Sequence, residues 1–305
     1  MPDLRKLTTE KRNSETMKLD EMTPYEIISI MNKEDYNVIE AVHRALPVIE
    51  TAILWATESL RQKGRIIYIG AGTSGRLGVL DAVECPPTFG VPYDMVVGLI
   101  AGGEKAFVKA KEGAEDNVEL GKADLENIGL NSKDIVIGLA ASGRTPYVIG
   151  ALKYAKQVGC KSISIACNSG AEVSQEADCA IELITGPEIL TGSTRLKAGT
   201  AEKMVLNMIS TVSMIGIGKV YENLMVDVRQ TNMKLVTRAE NIVMEAVGCQ
   251  REEARAALQE AGGEAKLAIT KMLLGCDIET AKKCLEKAGG KVKTAVSQRK
   301  KEAEE

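Results

Sequence analysis

Two adjacent hydroxyls, Thr73 and Ser74, sit inside the glycine turn Gly70-Ala-Gly-Thr-Ser-Gly75, directly after the β-branched run Ile66-Ile67-Tyr68-Ile69. A buried parallel strand, a turn whose backbone amides face a ligand and a helix N-terminus together form an anion site. The spacing also fits the dinucleotide fingerprint G-x-G-x-x-G, but that fold expects an acid about 20 positions on, at the end of the second strand. Asp94 instead opens the next apolar run. Thr73 and Ser74 can donate to a phosphate monoester, which a pyrophosphate held by bare backbone does not need. A sugar phosphate or similar monoester is the expected ligand, with a nicotinamide cofactor as the competing reading.

A second turn of this kind, Ala140-Ala-Ser-Gly-Arg-Thr-Pro146, offers Ser142, Gly143 and Thr145 after another apolar run. Ser-Gly turns are common and most only reverse the chain, but two at one sheet edge can converge on one phosphate. A third segment, Thr191-Gly-Ser-Thr-Arg-Leu-Lys197, leads into a helix. Ser193 or Thr194 is either its N-cap or a ligand contact, and Arg195, Lys197 and Lys203 crowd cations where the helix dipole disfavours them, which suggests an anionic ligand or partner. Ser193, Thr194 and Lys197 join the substrate-binding candidates. His43 is the single histidine, so neither a His-centred triad nor a zinc site of several imidazoles can be built, and carboxylates must do any acid–base work. Glu84, just before Pro86-Pro87, and Glu115, in a segment read as helix, each also have a plain explanation as solvated surface acids. The double proline is expected to end the helix begun near Ser74.

These residues need a scaffold, and the pattern around them supplies one. Val96–Ile100, Ile135–Leu139 and Ser162–Ala166 are short apolar runs separated by helix-length segments, with a weaker fifth run from Cys179 to Ile184. The reading is an α/β fold, a parallel sheet flanked by helices, with chemistry in the loops after Ile69, Ile100, Leu139 and Ile184. Ahead of it, Thr23-Pro24-Tyr25-Glu26 is a capping box, and a helical pattern from Val38 to Leu60 is expected to kink or split at Pro47. Beyond about residue 240 the texture turns to Ala, Glu and Lys, and Ala254, Leu258, Ala261-Gly-Gly263, Lys266 and Ala268 recur 27 residues later as Ala281, Leu285, Ala288-Gly-Gly290, Lys293 and Ala295. Each copy reads as two short helices around a Gly-Gly turn, too small to fold alone, and Arg299–Glu305 as a frayed end. The expected divisions are a helical segment over 1–60, the α/β domain over 61–238 and a small all-helical, UBA-like repeat domain over 239–305. A net charge of −3 and 3% aromatic residues argue against nucleic acid. No run is long enough for a membrane span, no signal peptide opens the chain, and seven cysteines without a pairing motif favour reduced thiols, so a cytoplasmic location is expected.

Gly70–Gly78, Asp81-Ala-Val-Glu-Cys-Pro-Pro-Thr-Phe-Gly90, Glu112-Gly-Ala-Glu-Asp116 and Ser193-Thr-Arg-Leu-Lys-Ala-Gly-Thr-Ala-Glu-Lys203 together resemble the N-acetylmuramic acid 6-phosphate etherase family, from Thr9-Glu-Lys-Arg-Asn13 to the helical tail. The resemblance implies a sugar isomerase (SIS) fold, a homodimer, and a lyase that needs no cofactor, and the lack of clustered metal ligands in the sequence adds the expectation that it needs no metal. That lyase removes the D-lactyl ether of N-acetylmuramate 6-phosphate, with Glu84 as proton-donating acid and Glu115 as a second catalytic residue. Division of labour between two carboxyls makes Glu115 the base, and burial of Glu84 beside Val83 and the prolines is the expected device for keeping it protonated. A continuous helix would put Glu84 about 15 Å along the axis from Ser74, so either the helix bends or the site is shared between subunits. An aldose–ketose isomerase and a non-catalytic sugar-phosphate sensor are the rival readings.

Overall fold

The structure is a computed structural model describing residues 7–109, 111–228 and 233–304, and the chain divides into two compact units, Met1–Val83 with Asp94–Ser210, and Glu84–Tyr93 with Thr211–Glu305.

In the first unit, α1 (Pro24–Glu34) opens with the expected capping box: Glu26 N–H donates to Thr23 Oγ1 at 3.3 Å and Thr23 N–H donates to Glu26 Oε2 at 2.8 Å. α2 (Tyr36–Arg61) runs unsplit through Pro47, so of the expected kink or split the split does not occur. Pro47 forfeits one backbone bond, and the helix holds because Val38, Val42, Ala45, Ile49, Ala52, Ala56 and Leu60 form one continuous buried stripe. Then follow β1 (Ile66–Gly70), α3 (Gly72–Phe89), β2 (Val96–Ile100), α4 (Lys105–Val108), α5 (Val118–Asn127), β3 (Ile135–Leu139), α6 (Pro146–Val158), β4 (Lys161–Ala166), α7 (Glu172–Glu176), β5 (Cys179–Glu182) and α8 (Lys197–Gly216). The strands pair in parallel in the order β2-β1-β3-β4-β5, with Gly70 opposite both Ile100 and Leu139, so the loops after β1, β2 and β3 leave one edge side by side. β1 and β3 are buried along their whole length, which is why they read as unbroken apolar runs.

Pro86 and Pro87 do not end α3. They occupy its last turn, where their fixed φ still suits a helix and few backbone bonds remain to lose, and Gly90 (φ +64°) closes the end by donating to the Pro86 carbonyl at 3.0 Å.

In the second unit a two-stranded hairpin, β6 (Val220–Tyr221) and β7 (Leu224–Met225), which the sequence pattern did not reveal, precedes α9 (Met233–Val247), α10 (Arg251–Glu260), α11 (Ala265–Leu274), α12 (Ile278–Lys287) and α13 (Val292–Glu304). The 27-residue repeat resolves as the pairs α10–α11 and α12–α13. Equivalent residues Ala254 and Ala281, Leu258 and Leu285, and Ala268 and Ala295 join one apolar cluster, so neither copy buries its face alone. The end expected to fray is helical to Glu304, consistent with its Lys, Glu and Ala content and with Val292 and Ala295 anchored in that cluster.

Candidate active site

The first glycine turn is set by close approach. A Cβ on Gly75 would stand 2.6 Å from the Gly70 carbonyl oxygen, so only glycine lets α3 start this near the end of β1. Thr73 and Ser74 follow on the first turn of α3. Thr73 is half-buried with its methyl toward the start of α8, where a Cβ on Gly199 would meet Thr73 Cγ2 at 3.5 Å. Ser74 is buried, and its hydroxyl donates to Glu202 Oε1 at 2.9 Å. Arg76 ties in the β2 loop by donating to the carbonyls of Phe107 and Ala106 at 2.8 and 2.9 Å.

In the second turn Gly143 takes φ +77° and donates to the Ala140 carbonyl at 2.7 Å, and a Cβ there would lie 2.4 Å from Ala171 Cβ. Ser142 Oγ accepts from the Arg144 N–H at 3.4 Å, and Thr145 precedes α6 without a side-chain cap bond. This loop is held by a residue the sequence reading passed over: Asn168, buried, whose Nδ2 donates to the carbonyls of Ala141 and Ser142 and to Thr9 Oγ1. Its Oδ1 accepts from the N–H groups of Thr8 and Thr9 at 2.7 and 3.3 Å. The signal was available in the sequence, because Asn168 follows β4 at the same sheet edge as the two glycine turns.

Glu115 is not on a helix. It lies in an exposed turn, because Asn117 caps α5 by accepting from the Leu120 N–H at 3.2 Å and so starts that helix at Val118. The Glu115 carbonyl accepts from the Tyr147 N–H at 3.0 Å, which pins it two residues past Thr145 at the start of α6. Glu115 also lines a cavity of about 150 Å³, together with Gly72, Arg76, Ala101 and Glu112. The fold thus brings Glu115, the Thr73–Ser74 turn and the Ser142–Thr145 turn to one edge.

The start of α8 departs from expectation. Its cap is neither Ser193 nor Thr194 but Glu188, whose carboxylate accepts from the N–H groups of Lys197 and Ala198, both at 3.0 Å. Ser193 and Thr194 form the preceding turn through their carbonyls. Burial pushes the Glu188 carboxyl up, offset by those two N–H bonds. The Lys197 ammonium, 2% exposed, points to Glu34 Oε2 at 2.5 Å, in a separate cavity of about 420 Å³ that Asn13, Arg44 and Thr185 also line. Its charge is answered by Glu34, so the local crowding of cations that suggested a ligand has an internal explanation at this residue.

Two further acids lie behind the first turn. Glu202, fully buried, has its carboxyl pushed up to about 8 by burial, opposed by the Ser74 hydrogen bond. Asp81 is pushed up to about 6 by burial, against hydrogen bonds from Tyr68 and Ser210 and the charge of Lys203. Glu84, by contrast, is exposed, and its neighbour Val83 is 52% exposed, so the burial expected around this acid is absent from the single chain. α3 runs without a break from Gly72 to Phe89.

All seven cysteines are free, four of them buried. No helix among the described residues is long and apolar enough to cross a membrane, and no group of three or more His, Cys, Asp or Glu among them could hold a metal ion.

The parallel sheet with hydroxyl-bearing loops at its carboxyl edge places the chain among SIS-domain proteins: residues 117–212 match the SIS domain model, and residues 48–156 match that of the glucokinase regulatory protein N-terminal SIS domain. The chain is 62% identical to an N-acetylmuramic acid 6-phosphate etherase of Geobacillus sp. over 89% of its length and 92% of the relative's. It is 60% identical to those of Halalkalibacterium halodurans and Lactococcus lactis, over 88% of its length and 91% of theirs. It belongs to the N-acetylmuramic acid 6-phosphate etherase family, as its motifs implied.

Proposed function

We propose that this protein cleaves the D-lactyl ether of N-acetylmuramic acid 6-phosphate in the recycling of cell-wall sugars, giving N-acetylglucosamine 6-phosphate and D-lactate by elimination and hydration. The observation that carries the reading is the placement of Glu115 between two hydroxyl-bearing turns at one sheet edge. Thr73, Ser74, Ser142 and Thr145 supply donors for the phosphate, with Gly143 shaping their turn and Ser193 and Thr194 close by in sequence to the helix that meets Thr73. With the sugar open as its aldehyde, the C2 proton is acidified. Glu115 removes it, the C3–O bond breaks, and Glu84 protonates the departing lactate oxygen; water then adds at C3. Because Glu84 is exposed in the single chain, its acid role is best met in a homodimer in which a second copy covers it and shifts its pKa upward.

Release of D-lactate from N-acetylmuramate 6-phosphate in the presence of a chelator tests the activity. A ketose phosphate without lactate would favour an isomerase, and binding without turnover a sensor. Mixing Ser142→Arg with Glu84→Gln chains, with subunit exchange verified by differently tagged chains, tests the shared site: heterodimers regain activity if each site draws on both chains and stay at background if it does not.

A further inference from the structure

The proposed mechanism leaves one buried acid without a task. Glu202 sits on α8 among Ala198, Ala201, Val205 and Leu206, all at most 1% exposed. An acid in such company is costly unless it is neutral or well paired. Its only side-chain partner among the described residues is Ser74, and its second oxygen, Oε2, is buried with no hydrogen bond. The titratable group beside it from the segment just after β4 is Cys167, a buried thiol pushed well up by burial and then by the charges of Glu202 and Glu188. Lys203, the next residue along α8, acts on Asp81 of α3, and the charge of Glu188 is directed to the start of α8. Among the described residues no cation offsets Glu202, and the hydroxyl bonded to it belongs to the proposed phosphate turn.

A serine hydroxyl has one proton to give. The 2.9 Å separation between Ser74 Oγ and Glu202 Oε1 serves a hydrogen bond in either direction. We propose that Glu202 is a proton-controlled positioning residue for the phosphate subsite. As the neutral acid it donates to Ser74 Oγ and leaves the Ser74 proton for a phosphate oxygen; as the carboxylate it takes that proton itself. The proposal rests on the reading that Ser74 contacts phosphate. Burial supports it by moving the carboxyl to about 8, where both forms are accessible in an assay. A monoester loses its second proton near pH 6, below this window, so the ligand stays dianionic across the switch. The dianion in turn favours the neutral acid, so binding takes up a proton.

The test is KM for N-acetylmuramate 6-phosphate from pH 6.5 to 9.5 in the unmutated enzyme, Glu202→Gln and Ser74→Ala. In the unmutated enzyme KM should climb toward about tenfold per pH unit above pH 8, the slope for one linked proton. In Glu202→Gln, whose amide donates at every pH, KM should be low and flat. A flat profile in the unmutated enzyme, or a rise that survives in Glu202→Gln, overturns the proposal. Failure of the phosphate reading looks different: Ser74→Ala would then leave KM unchanged at pH 7. Should Glu202→Gln not fold, calorimetry of inorganic phosphate binding to the unmutated enzyme at pH 8, in buffers of different ionisation enthalpy, reads the linkage directly. Net proton uptake supports the switch, and none overturns it.

Discussion

Glu202 in the α/β unit and Glu240 in the helical unit are both buried glutamates, at 0% and 5% exposure, and the two units treat them in opposite ways. Glu240 on α9 accepts from Arg251 and Arg255 of α10 at 2.7 and 2.8 Å, and these partners hold its carboxyl below the usual range. Glu202 has a single hydroxyl, an orphaned oxygen and a carboxyl moved the other way. The helical unit ties its acid off with arginines that stay largely in water, around an alanine- and leucine-lined core. In the α/β unit burial raises the carboxyls of Asp81, Glu188 and Glu202 alike. Glu202, with one bonded oxygen, lies behind the hydroxyl proposed to meet a ligand, and Glu240, with two arginines, lies where only packing is at stake.

The largest test of this contrast is Glu115→Gln. It should lower lactate release by roughly a hundred- to ten-thousand-fold and abolish solvent deuterium exchange at C2, while leaving the unfolding midpoint in place. Glu84→Gln should lose turnover yet retain much of that exchange; the opposite pattern would reverse acid and base. In the helical unit the large effect should be on stability instead. Leu258→Ala removes a core side chain at 6% exposure and should cost about 2–5 kcal/mol in urea unfolding, with KM of the remaining folded protein unchanged. Back in the site, Ser142→Ala should weaken binding of phosphorylated sugar by about 0.5–3 kcal/mol without altering stability, and equal affinity of the unmutated protein for the unphosphorylated sugar would remove the basis for that expectation.

Stability against pH sharpens the contrast further. Asp81 and Glu202 have folded pKa values raised to about 6 and about 8, so the folded state binds their protons more tightly than the unfolded state. Their contribution is fully present below the ordinary carboxylate range and is lost as pH rises through those values. Glu240 has the opposite sign, contributing above that range and losing its contribution as pH falls through its lowered pKa. The urea midpoint should therefore decline toward pH 8 in the unmutated protein, and Glu202→Gln should remove its share of the decline, which above pH 6 is the larger part, and leave below pH 6 the share that belongs to Asp81. The smallest effect belongs to Arg255→Ala. That arginine's side chain is 62% exposed and Arg251 remains on Glu240, so its loss should move the urea midpoint least of all these changes.

Where the determinants are local, residue order was enough. The capping box at Thr23, the parallel strands read from β-branched runs and the close glycine turn after β1 follow from spacing within one or two turns or strand lengths, and the 27-residue repeat from one constant offset along the chain. The prolines show where local rules fall short: a buried stripe carries α2 through Pro47, and a terminal position makes Pro86 and Pro87 harmless in α3. Partner choice was decided by packing alone. Ser74 meets Glu202 from 128 positions away, Lys197 meets Glu34 from 163, and Asn168 meets the backbone of Thr8 from 160. Hydrophobic periodicity says which face of an element is buried but nothing about which polar group lies opposite it, because that depends on how separate elements stack and on which donors the stack leaves without water. Hence the hydroxyls and acids of the candidate site were legible as residues, whereas the use of Glu188 as a cap, of Glu34 as a counter-ion and of Glu202 behind Ser74 belongs to the tertiary structure.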